Sequence, residues 1–357
     1  MGKAYLILEN GTVFEGEQFG AVGETVGELV FTTGMIDYLE TLNDPSYSGQ
    51  IVMQTFPLMG NYGVVPVESD DRSPKLKGYI VREWCEEPSN FRCEGTLYTF
   101  LLNNNIVGLC GIDTRALTKI IREHGVMNAK ISLTPECDLE ELKNYKIENC
   151  VKEMTCSDVS EFKAENGTCR IVMPDLGSRG TLISELTKRG CDVTVVPATY
   201  TAEQIQVLEP DGVFYGCGAG DPAENTEIIA EIKKLFDKNV PMFGIGLGHQ
   251  LIALAAGAKT VKLKYGHRGG NQPVQITDGS RTYITAQNHG YSVDPETLPE
   301  NAEIYFKNIN DGTCEGINYT NKPVFSVQFN PEVSFGPNDQ SFLYEKFIEN
   351  AKKGQVK

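Results

Sequence analysis

Short alternating runs of apolar and polar residues dominate the first part of the chain. Residues 5–9 and 12–15 alternate around Asn10-Gly11, a dipeptide that accepts the positive φ of a tight turn, so they predict a β-hairpin. Residues 28–33, 50–56 and 76–81 read as further strands, and Trp84 lies in a β-like run that predicts a buried indole. A helix is expected over residues 115–124, with Asp113 as its N-cap and Gly125 as its stop. The charged cluster at 138–143 reads as a solvated helix face. Strands mixed with isolated helices make this an α+β region. Between about residues 148 and 168 the pattern turns polar and loses its period. This places a first domain at 1–150, a linker at 151–168 and a second domain at 169–357.

Beyond the linker, strands alternate with helices. Residues 170–174, 192–197 and 212–215 read as strands, and 181–189 and 224–236 as helices, a rhythm that implies a mostly parallel α/β sheet covered on both faces. The next strand, 241–245, runs into glycine-rich sequence and a helix over 249–256 that ends at Gly257. Open sheets of this kind place their sites at such strand ends. Near the C-terminus, Phe342, Leu343, Phe347 and Ile348 recur at helical spacing and predict a core-facing helix.

Composition narrows the function classes. The 357 residues suit two domains with cores of their own, and a formal charge of −16 argues against a polyanionic partner such as nucleic acid or an anionic membrane. No run is apolar and long enough to span a bilayer, and no leader pattern opens the chain, so a cytoplasmic location is expected. Ten cysteines without a C-x-x-C pair read as free, mostly buried thiols, and no metal site is expected.

The chemistry centres on Gly244-Ile245-Gly246-Leu247-Gly248-His249-Gln250. Small residues flanking a strand-to-helix turn permit the sharp elbow that projects a nucleophile into a site, although here the central residue has no side chain. The turn alone also fits a phosphate loop or close packing. Its surroundings carry more. Tyr265-Gly266-His267-Arg268-Gly269-Gly270-Asn271, Gln287-Asn288-His289-Gly290-Tyr291 and Pro331-Glu332 resemble the class I (triad) glutamine amidotransferases. In the first half, the stretches 44–52, 60–63, 86–90 and 111–118 resemble the domain peculiar to the small subunit of carbamoyl phosphate synthetase. The resemblance covers nearly the whole chain. It implies a flavodoxin-like amidotransferase domain after the small-subunit domain.

In that family a cysteine at the elbow attacks the glutamine side-chain amide, a histidine takes its proton, and a glutamate orients the histidine. The resemblance places Gly246 at the nucleophile position and Asn330 at the base position, leaving Glu332 of the three. Glycine offers no nucleophile, and an asparagine amide is no base near neutral pH. A glutaminase-defective domain is therefore expected. The resemblance also implies that Ser46, Leu247, Gln250, Asn288, Gly290 and Tyr291 hold glutamine, with the amides of Gly218 and Gly220 facing it. Cys217 and Ala219 stand where the family usually has asparagine and proline, and His249 and His289 would support loops.

The implied partner is the large subunit, which uses ATP and Mg in the family to make carbamoyl phosphate for pyrimidine and arginine synthesis. The resemblance implies no cofactor for this chain itself, and its role would be that of a scaffold or regulatory subunit of an ammonia-dependent synthetase. Two alternatives stay open: a stand-alone glutamine-binding sensor, and an altered enzyme that uses Cys217.

Overall fold

The structure is a computed structural model that describes residues 2–36, 38–65, 73–333 and 340–354. The chain divides into two compact units, Met1–Ile147 and Glu148–Lys357.

In the first unit, β1 (Lys3–Leu8) and β2 (Val13–Gly20) form the expected hairpin, with Gly11 at φ +85° in the turn. They join β3 (Thr25–Thr32), β4 (Gln50–Gln54), β6 (Gly78–Ile80), β8 (Val107–Cys110) and β9 (Met127–Ser132) in a closed barrel of order β1-β2-β8-β6-β4-β3-β9. The short strands β5 (Leu58–Met59) and β7 (Glu83–Trp84) pair outside it. Three pairs in the barrel, β3–β4, β4–β6 and β6–β8, are parallel, so local hairpins do not complete it. Helix α1 (Tyr38–Asn43) buries Leu39 and Leu42, and α2 (Leu97–Asn103) buries Leu97 and Leu101. Helix α3 (Thr114–His124) begins as expected: Asp113 Oδ1 accepts the Ala116 N–H at 2.9 Å, and Gly125 ends the helix at φ +96°. Asp138 caps α4 (Leu139–Lys143), an exposed helix that still buries Leu142. Trp84 departs from expectation. It is only half-buried, its indole stacked between Phe19 and Tyr98 at centroid distances of 5.8 and 5.7 Å, so aromatic contact covers its faces and leaves its rim accessible.

The second unit begins at Glu148, ahead of the stretch expected to be a linker, and takes that stretch in. Helix α5 (Cys150–Met154) buries Cys150, Val151 and Met154, and β10 (Ser160–Phe162) pairs antiparallel with β12. Backbone pairing of three exposed residues leaves no apolar period, which is why the segment reads as unstructured. The central strands are β11 (Cys169–Asp175), β12 (Cys191–Pro197), β13 (Gly212–Tyr215) and β14 (Met242–Ile245), joined later by β19 (Val324–Val327). They run parallel in the order β12-β11-β13-β14-β19, the flavodoxin-like arrangement.

Between those strands lie α6 (Gly180–Lys188), α7 (Ala202–Val207), α8 (Thr226–Asp237) and α9 (Leu247–Ala255), and α10 (Phe342–Gly354) closes the unit. Beside β19 the sheet turns antiparallel through β15 (Thr260–Ile276), β16 (Thr282–Val293), β17 (Ala302–Asn308) and β18 (Cys314–Tyr319). Two apolar clusters hold the unit together. One, with Leu251, Ile252, Phe236 and Tyr319, packs α8 and α9 on the sheet, and the other, with Leu182, Phe214, Phe243 and Phe347, packs α6 and α10. Among the described residues no helix is long and apolar enough to cross a membrane. All ten cysteines are free, and six of them are buried.

Candidate active site

Glycine makes the turn from β14 into α9 sterically feasible at three places. A Cβ on Gly248 would lie 2.1 Å from the Tyr215 carbonyl oxygen, and one on Gly244 would lie 2.7 Å from the Gly248 backbone. Neither position accepts a side chain without moving strands. Gly246, between them, sits at φ +58°, ψ −113°, and its N–H donates to the Val327 carbonyl at 3.0 Å. Such a backbone strains any L-residue and costs glycine little. Eight residues of α9 are buried, so the elbow is anchored by core packing.

Three strand ends converge here. Cys217 follows β13, Gly246 follows β14, and Asn330 follows β19; these are neighbouring parallel strands, whose carboxyl ends are the usual place for a site. A Cβ at position 246 would meet Cys217 Sγ at 3.2 Å, its Cα at 3.5 Å and its Cβ at 3.6 Å. The buried Cys217 thiol donates to Asn330 Oδ1 at 3.3 Å. Each end is held in place: Ser178 Oγ donates to the Cys217 carbonyl at 2.9 Å, and Asn330 N donates to the Ala286 carbonyl at 2.9 Å. Glu332 lies two residues further on, half-buried. Its negative charge, together with burial as the larger cause, pushes the Tyr344 hydroxyl on α10 well above the usual tyrosine range.

The expected ligand-holding residues are partly gathered at this elbow. Leu247 is buried, and a Cβ on Gly218 would lie 2.6 Å from both its Cδ2 and the Leu176 carbonyl oxygen, so only glycine fits at 218. Gly220 is at φ +91°. Gln250 Nε2 donates to the Tyr291 carbonyl at 2.7 Å and to Gln328 Oε1 at 2.9 Å, which ties α9 to β16 and to the end of β19. Asn288 and Gly290 lie on β16, where Asn288 pairs with Arg268 and a Cβ on Gly290 would lie 3.3 Å from Arg268 Nη2. Ser46 belongs to the first unit, in a 3-10 turn where its N–H donates to Asp44 Oδ1 at 2.9 Å.

Beside these residues runs a largely buried polar chain: His267, Gln287 and His289 belong to the motifs quoted above, whereas Asn308, Asp311 and Glu315 have no signature in the sequence. His267 Nε2 donates to Asp311 Oδ2 at 2.8 Å, and its Nδ1 faces Glu315 Oε1 at 3.3 Å. Glu315 Oε2 accepts from Gln287 Nε2 at 3.0 Å, and Asn308 Nδ2 donates to Glu315 Oε1 at 3.2 Å. His289 contacts Gln287 Oε1 at 2.9 Å and the Tyr291 carbonyl at 2.8 Å. Candidate ligand atoms of His267, His289 and Glu315 lie within 4.8 Å of one another, and the hydrogen bonds just described engage all three side chains.

Burial opposes charge on His267, but its bonds to Asp311 and Glu315 win and lift it to about 9. Burial, with the nearby charge of His267, holds His289 well below the ordinary histidine range, while burial raises the Glu315 carboxyl. A neutral His289 has one N–H, which goes to the Tyr291 carbonyl. His249 is also neutral: complete burial lowers it to about 3, and its Nδ1 contacts Ser326 Oγ at 2.8 Å.

Comparison with known proteins supplies the family. The model of the carbamoyl-phosphate synthase small chain, CPSase domain, matches residues 6–131, and that of the class I glutamine amidotransferases matches residues 172–350. A carbamoyl phosphate synthase small chain from Clostridium perfringens is 47% identical over 353 residues, covering 98% of this chain and 99% of that protein. One from Fusobacterium nucleatum is 47% identical over 355 residues, covering 98% of each. Among solved structures, a glutamine amidotransferase from Thermotoga maritima is 16% identical with a TM-score of 0.39, covering 53% of this chain and 86% of that one. Matched along nearly its whole length, this chain belongs to the carbamoyl phosphate synthase small chain family and carries a class I glutamine amidotransferase domain.

Proposed function

We propose that this chain is the small subunit of a carbamoyl phosphate synthase whose own amidotransferase site does not hydrolyse glutamine. It would serve as a scaffold or regulatory partner for a large subunit that draws on free ammonia. One observation carries the reading: where strands β13, β14 and β19 end together, the groups present are a glycine, a thiol and a carboxamide. Amide hydrolysis through a thioester needs a thiolate, a base to make it, and a donor to protonate the leaving nitrogen. Gly246 supplies no nucleophile, and Asn330 neither takes nor returns a proton near neutral pH. The oxyanion donors that remain would act on an attack that has no attacking group.

The test is co-expression with a large subunit. The expected result is a stable complex that makes carbamoyl phosphate from ammonium but not from glutamine. Glutamine-dependent ammonia release by the purified chain or complex would refute the defect.

A second reading has one observation in its favour. Cys217 brings a sulfur to within 3.2 Å of the Cβ position at 246 and within 3.3 Å of residue 330, so a thiol is present although it comes from the neighbouring strand. Its hydrogen-bond partner is an amide oxygen, which accepts the thiol proton without removing it. Mass spectrometry after incubation with glutamine tests this reading, which predicts an acyl adduct on Cys217.

A further inference from the structure

We propose that the loops of the first unit that carry Phe91, Ile36 and Met35 are the docking surface for the large subunit of carbamoyl phosphate synthase, with the Phe91 ring as its anchor. The proposal rests on the small-subunit reading and deepens it by placing the partner on named residues. Among the described residues Phe91 is the most exposed large hydrophobic side chain, at 97%, while Met35 and Ile36 stand at 65% and 63%. Segment 61–64 ties their loops together. On one side, the Tyr62 hydroxyl donates to the Ile36 carbonyl and its ring stacks on Tyr38 at 4.2 Å, while the Tyr38 hydroxyl donates to the Gly63 carbonyl at 2.6 Å. On the other, Ser89 N donates to the Asn61 carbonyl at 3.0 Å, and Glu94 N to the Val64 carbonyl at 2.9 Å. A Cβ on Gly63 would lie 2.2 Å from Cys93 Sγ, so glycine lets the two loops touch. A tight turn then displays the ring: Asn90 Oδ1 accepts the Arg92 N–H at 2.9 Å, and the Asn90 carbonyl accepts the Cys93 N–H at 3.0 Å.

Single exposed apolar side chains are ordinary, and Val207, 80% exposed at the end of α7, is one. Phe91 differs, because ordering its turn costs chain entropy and folding recovers no apolar burial from the ring. Aromatic side chains of this kind are the usual anchors of protein interfaces. The family supplies the occupant. The match to the small-chain CPSase domain, residues 6–131, takes in all three loops and lies in the first unit, outside the amidotransferase domain. The stretches 60–63 and 86–90, which carry the resemblance to the small subunit's own domain, lie here with Asn61, Glu86, Glu87 and Ser89 exposed. Motif residues that face solvent on loops serve recognition rather than core packing. Glu86, Glu87 and Glu94 outweigh Arg92 around the ring, so the large subunit would meet it with an apolar pocket edged by basic side chains.

The experiment measures binding of the full chain to its cognate large subunit by biolayer interferometry, for the wild type, Phe91→Ser, Ile36→Ser and the control Val207→Ser. Phe91→Ser is expected to bind at least about tenfold more weakly, Ile36→Ser to lose less, and Val207→Ser to match the wild type. Because the Phe91 ring faces solvent, Phe91→Ser is expected to melt with the wild type. Hydrogen exchange in residues 85–95 of the wild-type chain is expected to slow when the large subunit binds, a readout that needs no substitution. Unchanged affinity in Phe91→Ser, or no slowing in that segment, would overturn the proposal and leave the small-subunit reading standing. Self-association of the wild type that Phe91→Ser abolishes in sedimentation, with large-subunit affinity unchanged, would overturn it in favour of a second copy of this chain. A wild-type chain that binds no large subunit would instead overturn the small-subunit reading and the proposal with it.

Discussion

Raising the pH should loosen the second unit through a single side chain, His267. Hydrogen bonds to Asp311 and Glu315 raise its folded pKa to about 9, against about 6.5 for an unperturbed histidine. A raised folded value means that the native state holds a proton the unfolded chain has released. This contribution is complete below about pH 6.5 and is lost as the pH rises through about 9. At about 1.36 kcal/mol per pH unit the interval corresponds to about 3 kcal/mol. His267 is 7% exposed, so solvent screening removes little of it. Glu315, raised by burial, acts with the same sign.

On the acid side His249 and His289 act the other way. Burial depresses both, so their contribution is present above about pH 6.5 and is lost as the pH falls. With His249 lowered to about 3, the fall from pH 6.5 to 5 removes about 2 kcal/mol through that residue alone. Stability of the unit is therefore expected to peak near pH 6.5. The assay is urea unfolding of the full chain between pH 5 and 9.5, followed by far-ultraviolet circular dichroism. Trp84 fluorescence serves as a separate report on the first unit, which contains none of the three histidines. His267→Gln should abolish the alkaline slope and be least stable relative to wild type at and below about pH 6.5. An alkaline slope that persists in His267→Gln, or one absent from the wild type, would refute the reasoning.

Other substitutions probe the elbow and its supports. Gly248→Ala should cost more than about 3 kcal/mol, because its Cβ would lie 2.1 Å from the Tyr215 carbonyl oxygen, whereas Gly246→Ala should cost about 1–2 kcal/mol of backbone strain. Thermal melts of the two variants compare the positions, and equal losses would contradict the steric account. Ser326→Ala removes the partner of His249 Nδ1 in a fully buried site and should lower stability by about 1–3 kcal/mol in denaturant titrations at pH 7. Asp113→Ala should cost about 1 kcal/mol by loss of the α3 cap, and Asp113→Asn should restore most of it in the same titration.

Features written in local chemistry were readable from the chain. The Asn10-Gly11 turn, the Asp113 cap, the Gly125 stop and the glycines at 244, 246 and 248 each act within a few residues, and each reappears in the structure. What depends on distant partners was not readable. The barrel closes through β9, which pairs with both β1 and β3, and no local period announces that. The segment 151–168 read as a linker because β10 contributes only exposed side chains, although its backbone belongs to the sheet. At the site, Cys217 and Asn330 are 113 residues apart, so their hydrogen bond has no counterpart in spacing. The chain from Asp311 to Tyr291 was missed for the same reason, since Gln287 and Glu315 come from different strands and lack any recognisable ligand spacing.

The pairing of β17 bears on how separate copies of this chain would meet. It bonds to β18 as well as to β15, so that end of the ten-stranded sheet folds back on itself and offers little open backbone. The opposite end is β10, three residues long, with Glu161 at its centre and Lys163 following. Short, charged borders of this kind are poor templates for strand addition, and the closed barrel has no border at all. Fibril-like stacking of unassembled chains is thereby discouraged at both units.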